Sequence, residues 1–224
     1  LALAIVQGRV WGWLSAEILA LLAITIVSIS IVTRRITDHP DPIVPKLLFS
    51  ISSFRIASIS TFLFGLGFFA VILTLVLYLD EIANYTTIEA GLAISMLPIA
   101  AAVSSNICGR LADRFGFRAV TIPGMLLFTT GSLWLWARAG VNPNYLADLF
   151  PGLLLLGTGI GAGPPILAGA GVSDVGPIHF SVAGAVNQTA RQLSGALGVA
   201  IVVAILGPQI GNSPTVEPFQ RAFL

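Results

Sequence analysis

Six apolar runs of about twenty residues alternate with short polar segments along the chain. Because a helical residue rises about 1.5 Å, each run is long enough to cross a hydrocarbon core of about 30 Å. Proline and glycine mark connections at 39–42, 142–144 and 207–208. The pattern therefore predicts an all-α transmembrane bundle. The six predicted helices lie at about 12–33, 56–79, 90–108, 119–138, 146–171 and 184–207.

The composition is that of a chain whose main solvent is lipid. Hydrophobic residues make up 56% of the 224 residues and charged residues only 9%, whereas soluble domains carry roughly 25% charged residues. The chain opens and closes inside apolar runs, at 1–6 and 223–224. We therefore expect residues 1–224 to be part of a longer membrane domain.

The positions of lysine and arginine predict the orientation, because short basic loops remain in the cytoplasm. The loops predicted to be cytoplasmic contain Arg34, Arg35, Lys46, Arg55, Arg110, Arg114 and Arg118. The loop at 34–55 is longer than the others, and it includes an apolar stretch at 43–49. This stretch predicts a short interfacial helix, with a plain solvated loop as the alternative.

Several aromatic residues lie near the predicted outer ends of the helices. Amphipathic rings favour the level of the lipid headgroups. We therefore interpret Trp11, Trp13, Tyr78, Tyr85 and Tyr145 as interfacial anchors.

A charged segment at 109–118 joins the third and fourth predicted helices. Its two glycines predict a tight reversal of the chain, and Asp113 can form charge-assisted contacts with nearby arginines that hold two helices together. Because such contacts break when a helix moves, we interpret the segment as a gating motif. A basic cytoplasmic loop with one compensating acid is the alternative. The residues of the predicted motif are Gly109, Arg110, Asp113, Arg114, Gly116 and Arg118.

The fifth predicted helix combines closely spaced glycines with a proline pair. Glycines four residues apart allow close approach of a neighbouring helix, and prolines bend or unwind a helix. The helix is therefore either a smooth, bent element that rocks against its partner or a tightly packed static one. The residues concerned are Gly157, Gly159, Gly161, Gly163 and Pro164.

The sixth predicted helix contains an arginine that is costly in an apolar environment unless it faces a cavity or a partner. Arg191 lies about two turns from the predicted cytoplasmic end, so its side chain either contributes to a cavity or snorkels to the surface. Asn187 and Gln192 are candidates for the same cavity. Glu17, near the outer end of the first predicted helix, is a further candidate for a cavity or coupling role, with a purely interfacial position as the alternative.

Two of these segments resemble a known family. The string from Gly109 to Arg118 is similar to G-x-L-A-D-R-x-G-R-R of the major facilitator superfamily, with Phe117 at a position where that family often has arginine. Residues 187–198 resemble N-x-x-R-Q-x-x-G-x-x-G of its fourteen-span drug:proton antiporter (EmrB/QacA-type) branch. The resemblance implies that residues 1–224 form a partial transporter domain within the C-terminal half. It also implies that 109–118 is a cytoplasmic gate latch. Asp80 stands where the branch commonly has glutamine, and this departure makes it a candidate for ion coupling or cation recognition.

The resemblance implies proton-coupled efflux of small amphipathic or cationic drugs by alternating access, from a multi-pass position in the cell membrane. The implied partners are protons, the small-molecule substrate, the lipid bilayer and the missing N-terminal half. A facilitator for another solute, such as a sugar, siderophore or metabolite, is one alternative. A non-catalytic membrane subunit of a multi-component pump, or a membrane scaffold, is another.

Other functions find little support in the residues. The net charge of +1 gives no reason to expect nucleic acid as a partner. No G-x-x-x-x-G-K-[ST] string is present, so we expect no nucleotide hydrolysis. His39, His179 and the single cysteine, Cys108, do not form a pattern typical of catalysis or metal binding. We therefore expect no enzyme activity, no cofactor and no metal.

Overall fold

The computed structural model describes residues 12, 15–38 and 44–206, and these residues contain helices and no β-strand. A π-helical turn at Tyr145–Leu149 and a 3-10 turn at Pro177–His179 precede α7 and α9. The helices are α1 Ala16–Asp38, α2 Lys46–Ser50, α3 Ser52–Glu81, α4 Thr87–Ile94, α5 Met96–Phe115, α6 Phe117–Arg138, α7 Phe150–Ala162, α8 Pro164–Val172 and α9 Phe180–Leu206.

Six helical stretches in the described part of the chain are long and apolar enough to cross a membrane, which confirms the predicted all-α transmembrane class. They are Ala16–Ile36, Ser52–Glu81, Thr87–Phe115, Phe117–Arg138, Tyr145–Val172 and Pro177–Leu206. Several extend beyond the predicted bounds. The largest difference is in the third stretch, where the helix continues through the charged residues after 108. Polar residues satisfy the helical hydrogen-bond pattern as well as apolar ones do, so a hydropathy pattern detects only the apolar part of a helix.

The first two helices differ in how much of their surface is buried against the rest of the chain. Only 6% of the apolar window of α1 is buried, compared with 50% for the stretch that contains α7 and α8. The short α2, in contrast, buries Leu48 completely in an apolar cluster with Phe54, Val175 and Ala183. The segment predicted as an interfacial helix or a loop therefore contains one helical turn that docks on the bundle. Its position at the membrane interface stays a prediction.

The bundle is formed by α3 packing along α9, and by α7 packing along both α5 and α6. Its main apolar core lies toward the C-terminal end of α3, where Leu75 and Leu79 are fully or almost fully buried. Leu153 of α7 and Leu206 of α9 belong to the same cluster. This end of the bundle is therefore the more solidly packed one.

Small residues set the crossing of α3 and α9. A Cβ atom on Gly65 would collide with the hydroxyl of Ser194 and lie 2.9 Å from its Cβ. A Cβ on Gly198 would lie 2.6 Å from the carbonyl oxygen of Leu66. Real Cβ atoms do not approach other atoms so closely, so these glycines allow the two backbones to meet.

Tyrosine hydroxyls tie the predicted outer ends of the helices together. Tyr78 is 1% exposed, and its hydroxyl donates to the carbonyl of Gly140 at 2.7 Å and accepts from the Gly140 amide at 3.1 Å. The hydroxyl of Tyr145 donates to the carbonyl of Ala93 at 3.2 Å. The prediction that Tyr78 is an interfacial anchor is therefore wrong, because the hydroxyl satisfies backbone groups of a loop and the ring is buried. Trp11 and Trp13 lie outside the described residues.

Candidate functional site

A cavity of about 260 Å³ opens between α3, α5, the junction of α7 and α8, and α9. One wall is aromatic. Phe64 and Phe68 stack with ring centroids 6.1 Å apart, and Phe68 meets Phe69 edge to face at 5.1 Å. Polar groups come from Thr61, Ser105 and Arg191. The cavity thus combines an apolar surface with one full positive charge.

Arg191 lies deeper along its helix than the sequence predicts. The helix begins at Phe180 and not at 184. The arginine is therefore about 16 Å along the helix axis from that end, or about three turns. Arg191 lines the cavity, and whether its side chain also reaches the membrane surface stays a prediction. The Arg191 side chain is exposed, and it forms no ion pair with any residue that the structure describes.

The neighbours of Arg191 in the predicted motif face elsewhere. The amide nitrogen of Asn187 lies close to Gly171 of α8, 3.2 Å from the place a Cβ there would occupy. Gln192 is exposed, and neither residue lines the cavity. The structure therefore brings Arg191 together with Gly161 and Pro164, but not with Asn187 or Gln192.

The predicted glycines divide between the neighbours of α7. A Cβ on Gly157 would lie 2.6 Å from the Cβ of Ala100, and one on Gly161 would lie 2.5 Å from the carbonyl oxygen of Ala101, both on α5. A Cβ on Gly159 would lie 2.7 Å from the backbone nitrogen of Phe128 on α6. The glycine spacing thus lets α7 contact two helices at backbone distance.

The fifth membrane-length stretch is interrupted beside the cavity. The first part, α7, ends at Ala162, and α8 begins at Pro164. Gly163 between them has φ −94° and ψ −92°, which is not helical. Pro164 and Pro165 remove two backbone donors at this point and line the cavity. The wall opposite Phe64 therefore contains a break in the helical hydrogen-bond pattern.

The charged segment lies at the far end of α5, and its chain reversal occurs at one residue. Gly116 has φ +88°, a conformation that favours glycine, and it separates α5 from α6. Gly109, in contrast, lies inside α5, and a Cβ there would meet nothing within 4 Å. The prediction that both glycines form the reversal is therefore wrong for Gly109, because the helix continues through it.

The charges of this segment do not pair with one another. Asp113, Arg110, Arg114 and Arg118 are all exposed, and no ion pair joins them within the described residues. The guanidinium of Arg114 lies 5.2 Å from the ring centroid of Phe115. Asp113 is thus available to a partner that approaches from outside the described bundle.

The two predicted coupling acids lie away from the cavity. Asp80 is exposed near the end of α3, eleven residues beyond Phe69, which is about 16 Å along the helix axis. Glu17 is exposed in the first turn of α1. Neither residue lines the cavity.

Sequence reasoning missed the aromatic wall and Thr61. The signal was available in principle, since Phe64 and Phe68 are four residues apart and share a helix face. Apolar residues at that spacing occur on every face of a membrane helix, however. The hydropathy pattern of the sequence therefore does not show which face of the helix lines a cavity.

The helices of membrane length define a polytopic α-helical membrane protein. The cavity, with Arg191 near the middle of its helix, gives this bundle a polar site. The chain belongs to the Major Facilitator Superfamily, whose family model matches residues 2–199. This membership, together with the six helices, gives it a multi-pass position in the cell membrane.

Individual relatives carry names related to drug resistance. The tetracycline resistance determinant of Streptomyces rimosus is 26% identical over 202 residues, which cover 89% of this chain and 58% of the relative. The multidrug transporter protein MdtP of Bacillus subtilis is 25% identical over 92% of this chain and 38% of its own length. The puromycin resistance protein pur8 of Streptomyces alboniger is 31% identical over 85% of this chain and 38% of its own length. The chain thus spans less than two thirds of each of these relatives.

Proposed function

We propose that the chain is one bundle of a proton-coupled exporter of small amphipathic or cationic molecules, the C-terminal half of a fourteen-span transporter. The cavity near the middle of the bundle carries the proposal, because alternating-access transporters bind substrate between their two halves at that depth. The names of the relatives support export of drug-like molecules. The break at Gly163 supplies a place in the cavity wall where the backbone can bend.

The residues around the cavity favour amphipathic substrates over cationic ones. Three phenylalanine rings offer flat apolar contact, and Thr61, Ser105 and Arg191 offer polar contact. None of the described lining residues is a carboxylate. A cationic substrate would therefore need an acidic group from the other half of the transporter.

Proton coupling needs a group that gains and loses a proton during the cycle, and acidic side chains in membrane spans are the usual carriers. Asp80 and Glu17 lie away from the cavity. We therefore propose that the missing N-terminal half supplies the coupling carboxylate, and that substrate and proton share the space between the two bundles.

We propose that Asp113 belongs to a cytoplasmic latch. It lies exposed at the end of α5 without an ion pair in the described bundle, so it can pair with a helix end of the other half. Such an inter-bundle contact stabilises one orientation of the two halves and must break when the inner side opens. The arginines around it keep the segment basic, as expected for a cytoplasmic position.

The latch is tested with Asp113→Asn in the intact transporter, reconstituted in proteoliposomes under an imposed proton gradient. Loss of a charged contact that favours one state shifts the balance of states by roughly tenfold. We therefore expect proton-driven ethidium flux to fall by about that factor, and the inward-open population, measured by spin-label distances, to rise. Asp113→Glu is the control, since it keeps a carboxylate at the same position. Unchanged flux and populations in Asp113→Asn would contradict the latch.

A further inference from the structure

We infer that the cavity beside Arg191 selects aromatic molecules that carry a carboxylate or another anionic group over cationic molecules of the same size. The inference rests on the proposed function, because it names the substrate class of the same site. It is carried by an aromatic wall next to a cation near mid-helix, and by a buried hydroxyl, the cation having no ion pair and the hydroxyl no hydrogen bond among the described residues.

The position of Arg191 requires compensation for its charge. It lies eleven residues after the start of a helix that ends at Leu206, so it is near the middle of a membrane-length stretch. An arginine at the centre of such a helix costs about 2.5–3.5 kcal/mol on insertion scales unless polar groups surround it. The described lining of the cavity contains no acid that could provide this compensation. An anionic ligand would provide it directly, as would the carboxylate proposed for the other half when that group is ionised and no anion is bound.

The backbone that carries Arg191 is held in place. The hydroxyl of Ser194 donates to the Arg191 carbonyl at 2.7 Å, and Ser194 is completely buried against Gly65. A guanidinium on a fixed base can form two parallel hydrogen bonds to a carboxylate, a geometry that an ammonium group does not offer. The site is thus suited to recognise a planar anion by shape as well as by charge.

Thr61 adds an independent polar group. Its side chain is 5% exposed, and its hydroxyl oxygen is buried without a hydrogen-bond partner among the described residues, although the residue lines the cavity. Buried hydroxyls are normally hydrogen-bonded, because leaving one unpaired costs about 1–3 kcal/mol. A ligand oxygen in the cavity would satisfy it once the side chain rotates its hydroxyl toward the cavity.

The aromatic wall accounts for the apolar part of the ligand. The rings of Phe64, Phe68 and Phe69 line the cavity along α3. Phe64 lies beside Gly163 at the break between α7 and α8, and Phe69 lies against Gly195 of α9. Offset or edge contacts between rings add about 0.5–1.5 kcal/mol to the burial of apolar area. A volume of about 260 Å³ suits one ring system with its substituent.

The test uses three dansyl compounds that share one fluorescent ring system and differ in charge. Dansylglycine is anionic, dansylamide is neutral and dansylcadaverine is cationic at pH 7. Their dissociation constants are measured by fluorescence with the intact transporter in lipid nanodiscs. The variants are Arg191→Gln, Arg191→Lys and, as the control, Leu193→Ala. Leu193 is exposed on the same helix and does not line the cavity.

We expect the unmodified protein to bind dansylglycine at least about tenfold more tightly than dansylcadaverine, the size of one charge-assisted hydrogen-bonded contact. Arg191→Gln should remove this preference while dansylamide binding changes less than about threefold. Arg191→Lys should keep part of it, and Leu193→Ala all of it. Equal binding of the three compounds by the unmodified protein, or an unchanged preference in Arg191→Gln, would overturn the inference. The first result needs no variant, so it stands even if a variant fails to fold.

Failure of the proposed function gives a different result. In proteoliposomes with an imposed proton gradient, absence of proton-driven flux for all three dansyl compounds and for ethidium would contradict proton-coupled export. Proton-driven flux without preference for the anion would leave export in place and overturn only the substrate class.

Discussion

At the scale of single residues, glycines determine how closely α3 and α9 approach each other. Gly65 faces Ser194 across the α3–α9 crossing, and there is no room for even one methyl group between them. Gly67, two residues further along the same helix, has only the edge of Phe128 at 3.7 Å. Substituting each glycine with alanine changes helix propensity in the same way, but only at Gly65 does the added methyl group collide with a neighbour. Comparing the two variants therefore measures the steric effect alone.

Gly65→Ala is expected to destabilise the protein by about 1–3 kcal/mol, because the added carbon forces α3 and α9 apart. Gly67→Ala should be neutral or stabilising by up to about 1 kcal/mol, since alanine favours the helix and the space is open. The thermal unfolding midpoints of the purified intact protein, followed by tryptophan fluorescence, provide the comparison. Equal midpoints for the two variants would show that the crossing is not tightly packed.

Some site residues could be predicted from the sequence, and others could not. Arg191 could be identified from sequence because a charge in an apolar helix is conspicuous whatever surrounds it. Phe64 and Thr61 could not, because their role depends on which helices come to face them. Tyr78 was interpreted wrongly for the same reason. A tyrosine near a helix end suits the headgroup region, but its hydroxyl finds Gly140, which is distant in sequence.

At the scale of elements, the junction of α7 and α8 is the most consequential feature. It places two prolines directly in the cavity wall, next to a non-helical glycine. A break of this kind allows the two helical segments to change their mutual angle without breaking further hydrogen bonds. If the protein transports as proposed, this junction is where the wall adjusts between the states of the cycle.

The double variant Pro164→Ala, Pro165→Ala restores two amide donors and should let α7 and α8 join. Both prolines stand in the first turn of α8, where a missing donor costs little as long as the break at Gly163 remains. The unfolding midpoint should therefore rise only if the variant lets α7 and α8 join. The rate of proton-driven flux should fall several-fold, because the wall becomes stiffer. Pro98→Ala is the control, since Pro98 lies in the first turn of α5, where the missing donor matters little. A double variant with the flux of the Pro98 variant would contradict a hinge role.

The number of membrane-length stretches and their helical type were predictable, because six apolar runs of membrane length allow few other structures. Their ends and their division into separate helices were less so. The third stretch contains α4 and α5 and continues past the charged residues to Phe115, and the fifth contains α7 and α8. The prolines at 164 and 165 predicted a bend at this point but did not fix whether the helix kinks or ends. That choice depends on Gly163 and on the ring of Phe64 beside it.

At the scale of the whole molecule, the distribution of basic residues predicts which face of the bundle is cytoplasmic. Arg110 and Arg114 near the end of α5 and Arg118 near the start of α6 lie at one end of the bundle, whereas Arg138 lies at the opposite end. Because basic residues are retained on the inner side, the end with three arginines is the predicted cytoplasmic one.

The orientation can be tested with two single cysteines in a Cys108→Ser background. Val141 lies exposed between α6 and α7, and Phe115 lies exposed at the opposite end. We expect a membrane-impermeant maleimide to label Val141→Cys in intact cells, and Phe115→Cys only after the cells are permeabilised. Labelling of Phe115→Cys alone in intact cells would reverse the orientation.

The cavity is bounded on one side by the tight contact of Gly65 with Ser194 and on the other by the rings of α3. These two boundaries differ in how far mutation can alter them. Any larger residue at the glycine disturbs the helix that carries Arg191, while shortening a phenylalanine leaves both backbones where they are. Variants that accept bulkier compounds are therefore expected to carry smaller side chains in place of the phenylalanines, and to keep Gly65 and Ser194 unchanged.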